Sequence, residues 1–129
     1  MIKTLESQFE TIDQGAYCGQ KDPIGYVIDD QLAWERIWEL TNISIPTDAL
    51  PEVDFTKEMI IGAYLGQTTS AGYSIEISNL VERCNSLEVY LTERSPEPGS
   101  MVGDALTQPY HLVKTAKNNK NVVFTRKFE

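Results

Sequence analysis

His111 is the single histidine of the chain, so any Ser/His, Cys/His or imidazole–metal chemistry would have to run through it. It stands in the run Tyr110-His111-Leu112-Val113, whose alternation reads as a strand and sets the ring on the face opposite Tyr110 and Leu112. A strand histidine with its hydrogen bonds met is the plainer reading, and an enzyme centred on His111 is the alternative. The carboxylates Glu52, Asp54 and Glu58 come just before an apolar run, where acidic residues serve as caps and solubilising groups more often than as a metal or acid/base site. Two cysteines, Cys18 and Cys84, fit no short-spaced metal motif, and each reads as a small buried hydrophobe rather than half of a bridge. No phosphate-cradling glycine motif occurs. These residues predict no catalytic set, no metal site and no cofactor.

Two loops carry a different signal. The first, Gly66-Gln67-Thr68-Thr69-Ser70-Ala71-Gly72-Tyr73, is small and polar, and Gly72 permits a backbone conformation that presents Tyr73 at the start of the next strand. The second runs Ser95-Pro96-Glu97-Pro98-Gly99-Ser100-Met101-Val102-Gly103-Asp104 and returns through Leu106-Thr107-Gln108-Pro109-Tyr110. Its prolines stiffen it, its glycines permit sharp reversals, and Gln108-Pro109 is a candidate cis bond. Stiff loops lose little entropy on binding, which suits recognition of another protein. The expected partner-binding residues are Gly72, Tyr73, Pro98, Gly99, Met101, Pro109 and Tyr110. Tyr73, Met101 and Tyr110 would be the apolar anchors, and Glu97 and Asp104 would tune the encounter.

The elements that must position these loops follow from periodicity. Met1 to Glu6 reads as a loose end, Phe9 to Gly19 as an opening strand with an irregularity at Gly15, and Gly25 to Ile28 as a second strand. Asp29 and Asp30 can cap a helix on which Ala33, Trp34, Ile37, Trp38 and Thr41 form one apolar face, ended by the loop Asn42 to Pro51. Met59 to Leu65 is continuously apolar, as a central strand buried on both faces would be. Tyr73, Ile75, Ile77 and then Leu87, Val89, Leu91 alternate with polar residues and predict an antiparallel hairpin turning near Arg83 to Ser86. A second hairpin is expected from Tyr110 to Ala116 and Asn121 to Phe128, joined through Lys117 to Lys120. The sum is an α+β fold, a mainly antiparallel β-sheet or sandwich of six to seven strands with one amphipathic helix, in a single domain spanning 1–129.

Composition bounds the partners. The 129 residues carry 11 Lys plus Arg against 19 Asp plus Glu, a net charge of −8, which repels phosphate backbones and anionic headgroups. The basic stretch from Lys114 to Lys127 reads as the solvated face of the terminal strands. Nucleic acid is disfavoured, no apolar run is long enough for a membrane span, and pairing of edge strands leaves a homo-oligomer open. No secretory pattern opens the sequence, so a cytoplasmic protein is expected if Met1 is the native start and an extracytoplasmic one if a leader has been removed.

Three motifs in order, Phe55-Thr56-Lys57-Glu58-Met59 through Gly66, the Thr-Ser-Ala-Gly-Tyr-Ser-Ile-Glu-Ile segment at Thr69 to Ile77, and Pro96-Glu97-Pro98-Gly99 followed by Thr107-Gln108-Pro109-Tyr110-His111-Leu112-Val113, resemble the PrcB C-terminal domain family. The resemblance spans roughly Leu32 to Phe124. It implies a bacterial, non-enzymatic accessory domain that associates with a protease and supports its stability or maturation. Thr69 to Tyr73 is also similar to the Thr-Gly-Tyr loop of chagasin-type cysteine protease inhibitors, which supplies a second alternative: a protease inhibitor using the 69–73 and 96–110 loops.

Overall fold

A computed structural model describes residues 5–42, 49–96, 99 and 104–128. Among them are ten strands and one helix: β1 (Leu5–Ser7), β2 (Phe9–Gly15), β3 (Ile24–Ile28), α1 (Gln31–Thr41), β4 (Glu58–Tyr64), β5 (Thr68–Ser70), β6 (Ser74–Glu82), β7 (Ser86–Arg94), β8 (Asp104–Thr107), β9 (Tyr110–Ala116) and β10 (Asn121–Phe128). They form two four-stranded sheets, β1-β6-β7-β10 and β2-β9-β4-β3, and a two-stranded ribbon, β5-β8. The mainly antiparallel sandwich with one helix is therefore present, with more strands than the six or seven expected.

The second sheet is the middle layer. Met59, Ile61 and Ala63 of β4 and Val113 of β9 pack against Ile75, Ile77, Leu80, Leu87, Val89 and Leu91 of the first sheet. The alternate residues Ile60, Tyr64, Tyr110 and Leu112 pack against Trp34 and Ile37 of α1. Two-sided burial explains why Met59 to Tyr64 is buried at every position, as its unbroken apolar run implied. The helix begins where Asp30 accepts a hydrogen bond from the Ala33 amide at 2.8 Å. It is fixed to the sheet by Trp34, whose indole is fully buried and donates to the Pro51 carbonyl at 2.9 Å.

Three expectations are corrected. Leu5 and Glu6, expected in a loose end, pair antiparallel with Glu82 and Val81 of β6. The opening strand stops at Gly15 rather than Gly19. The terminal hairpin does not form: β10 lies parallel to β7, in the other sheet from β9. The reason is that β9 is already flanked on both edges, by β2 and β4, and offers no ladder to a returning strand. The Lys117 amide bonds to the Lys57 carbonyl at 2.9 Å, and Lys120 then reaches Glu82 at 2.7 Å and the Arg83 carbonyl at 2.8 Å. These contacts carry the chain across the end of the sandwich and start β10 beside Ser86.

Candidate functional site

The two loops singled out in the sequence meet at one end of the sandwich. β5 from the first pairs antiparallel with β8 from the second, Thr68 opposite Thr107 and Ser70 opposite Asp104. The Thr68 and Thr107 hydroxyls bond to each other, the Thr107 hydroxyl reaches the Ser70 carbonyl at 3.3 Å, and the Gln108 amide group donates to Gln67 Oε1 at 3.0 Å. The ribbon is thus tied along its length by side chains as well as backbone.

A third segment, expected as far as Gly19 to continue the opening strand, supports the ribbon from behind. Past Gly15 the chain leaves the sheet, and its Ala16 carbonyl accepts from the Gln108 amide at 2.7 Å while the Lys21 carbonyl accepts from the Gln67 amide at 2.9 Å. Cys18 is buried between them, its thiol donating to the Gln108 carbonyl at 3.4 Å. Burial pushes that thiol up, against the opposing hydrogen bond from the Gln20 amide. Gly66 has φ +93°, and a Cβ there would stand 2.9 Å from Pro23, so the close approach of the loop to this segment depends on glycine.

The predicted site residues divide. Gly72, with φ +97°, is exposed, and Tyr73 is half-buried beside it. Gly99 is exposed with φ +83° and open space around it. Pro98 and Met101, with Glu97, lie outside the described residues. Tyr110 and Pro109 are corrections: both are buried, Tyr110 at 6% exposure, so neither anchors a partner. Tyr110 stacks on Tyr64 at 6.0 Å and donates to Asp13 Oδ2 at 2.9 Å. Burial, reinforced by that carboxylate, pushes the phenol well above its ordinary value, so it remains a donor. The Gln108–Pro109 bond is trans. In place of Tyr110 the end presents Tyr17 and Leu106, 59% and 57% exposed, neither of which is among the expected partner-binding residues. In β8 it is the Thr107 side chain that is buried and the leucine that faces out, the reverse of a strand serving the core, an orientation the sequence pattern did not signal.

The catalytic alternative fails at its centre. His111 is 2% exposed, with Nδ1 accepting from the Ile77 amide and Nε2 against the Thr11 hydroxyl, each at 2.9 Å, which leaves no ring nitrogen for a substrate. At the opposite end of the sandwich, Gln31, Leu50 to Asp54 and Glu58 line a groove of about 490 Å³. Two of its three carboxylates are engaged structurally, Asp54 accepting from Thr56 in the turn before β4 and Glu58 lying 3.5 Å from Lys114. Among the described residues no group of three or more His, Cys, Asp or Glu converges as a metal ion requires. No helix among them is long and apolar enough to cross a membrane. Cys18 and Cys84 are unpaired, and Cys84, read as buried, is exposed in the turn between β6 and β7.

The model of the PrcB C-terminal family matches residues 59–116, from β4 through β9. The matched span holds both loops and the ribbon they form, and it is narrower than the resemblance read from the sequence, leaving α1 and β10 outside. No curated protein and no solved structure matches the chain.

Proposed function

We propose that this chain is a non-enzymatic protein-binding module of the protease-accessory kind, docking through the end of the sandwich that carries the β5–β8 ribbon. The observation that carries the reading is the convergence there of two loops far apart in sequence, held by backbone and hydroxyl hydrogen bonds and presenting Tyr17, Leu106 and the Gly72–Tyr73 corner. A surface that is already ordered loses little entropy when a partner covers it, and its large side chains supply the contact energy. The family match supports the choice of a protease complex as the setting.

The test is an affinity capture from lysate of the source organism with the full chain as bait, set against a Tyr73→Ala/Leu106→Ser double variant whose urea midpoint is unchanged. A protease or its complex recovered by the parent chain and lost from the variant is the expected result, since truncating a pair of interface anchors costs about 2 kcal/mol or more, roughly thirtyfold in affinity. Identical captures on both baits, or an empty one, refute the assignment of this end. Activity of the recovered protease then separates a supporting subunit, which lengthens its working life, from an inhibitor, which lowers its turnover.

A further inference from the structure

His111 occupies an unusual place: it belongs to the middle sheet but bonds into the backbone of the other one. Its Nδ1 accepts from the Ile77 amide of β6, at the point where the pairing of β6 with β7 shifts register between Ile77 and Asn79. A bulge of this kind leaves backbone groups without their ladder partners, and a buried amide must find an acceptor elsewhere. The imidazole is that acceptor. Because Nδ1 accepts, the proton of the neutral ring sits on Nε2, which donates to the Thr11 hydroxyl of β2 at 2.9 Å. Gln14, the register partner of His111 on β2, adds a parallel link through its side-chain amide to the Ile75 carbonyl at 3.3 Å. β6 is therefore stapled to the middle sheet by hydrogen bonds as well as by packing.

We propose that His111 is an acid-sensitive latch between the two sheets, whose protonation at Nδ1 releases the Ile77 amide and breaks the hydrogen-bonded link from β9 to β6, leaving the Gln14 link and the packing to hold β6 more loosely. An imidazolium has donors at both nitrogens, so the added proton would face the Ile77 N–H and leave that amide buried without an acceptor. The groups facing the ring do little to stabilise its charge. Thr11 and Gln14 from β2 and Ala63 from β4 are uncharged, and Glu76 on β6 is the charged group acting on it, itself 3.5 Å from Arg94. Burial accordingly holds the imidazole below its ordinary 6.5, with Glu76 opposing. The sign follows: as pH falls below about 6.5 the opened chain takes up the proton first, so the closed state is favoured above that pH and loses ground beneath it. The latch lies at the docking end, since β6 leaves directly from Gly72–Tyr73 and His111 adjoins Tyr110, but it stands independently of any partner.

The test uses the full chain in solution. Long-range proton–nitrogen correlation of the imidazole at neutral pH should show the Nε2–H form, and amide exchange should show the protection of Ile77 falling by up to ~10-fold per pH unit below about 6.5. His111→Gln, which offers the Ile77 amide an acceptor that does not titrate, should hold that protection level across the same range. An Nδ1–H ring, or ordinary titration near 6.5 with Ile77 protection unmoved, would overturn the latch. These two readings need only the parent chain, so a variant that fails to fold leaves the decision intact.

Discussion

Gly25 on the edge strand β3 sits under the ring of Phe124 on β10, so that a Cβ built at Gly25 would meet three ring carbons at 2.6 to 2.8 Å. Ordinary contact begins near 3.4 Å, so Gly25→Ala must displace the ring by several tenths of an ångström from its place on the core. Overpacking of this kind costs about 1–3 kcal/mol, and we expect about 2 because Phe124 is half-buried on an edge strand that can yield. Phe124→Ala alone removes a half-buried ring, about half the ~3–5 kcal/mol of a fully buried one. In that background Gly25→Ala meets no ring and gains the ~0.5–1 kcal/mol by which alanine exceeds glycine inside a strand. The sign of its effect therefore reverses, giving a coupling of about 2.5–3 kcal/mol between residues on different sheets. Urea unfolding of the four proteins, with m-values compared, measures it. Additivity within ~0.5 kcal/mol would mean that Phe124 does not lie on Gly25, and would reopen the terminal hairpin in which β10 pairs with β9.

Thiol labelling tests the segment behind the ribbon: Cys84 should react with an aromatic disulfide reagent in the native protein and Cys18 only after denaturant is added, because burial both occludes the Cys18 thiol and disfavours its thiolate. Equal rates, or a mass short of both thiol protons, would contradict the structure. Tyr110→Ala should lower unfolding stability by about 3–5 kcal/mol, since it empties a core position and strips Asp13 of its phenol donor. A loss below ~1 kcal/mol by urea unfolding would place Tyr110 on the surface after all.

The sheet's inner face and the helix were legible because burial writes itself into the sequence as a period. Ile75, Ile77, Leu87, Val89 and Leu91 alternate, and Trp34, Ile37 and Thr41 return at helical spacing, and all of them are buried. Strand pairing was not legible at the C-terminus, because alternation says which face of a strand is apolar and nothing about its neighbour. Asn118 and Asn119 look like a hairpin turn, and only the occupation of both β9 edges excludes one. The same limit hid the fate of Tyr110. A tyrosine after Pro109 at the end of a loop satisfies the pattern of a presented anchor and that of a core residue equally, and the difference is made by Tyr64 and Asp13, distant in sequence.

What pattern could not supply, the backbone accounting does. Each loop taken alone would leave amides such as those of Gln67 and Gln108 in search of acceptors, and the carbonyls of Lys21 and Ala16 meet them only because the chain leaves β2 at Gly15 and passes behind the ribbon. The same accounting at the β6 bulge enlists His111 for Ile77. Three segments and a buried imidazole are thus bound into one unit at the end proposed for docking, so a substitution that disturbs the backing, at Gly66 for instance, would shift the ribbon without touching its exposed face. It follows that the interface must be probed at side chains that support nothing behind them. Leu106, turned outward from a ribbon whose buried residue is Thr107, meets that condition, and Tyr110 does not.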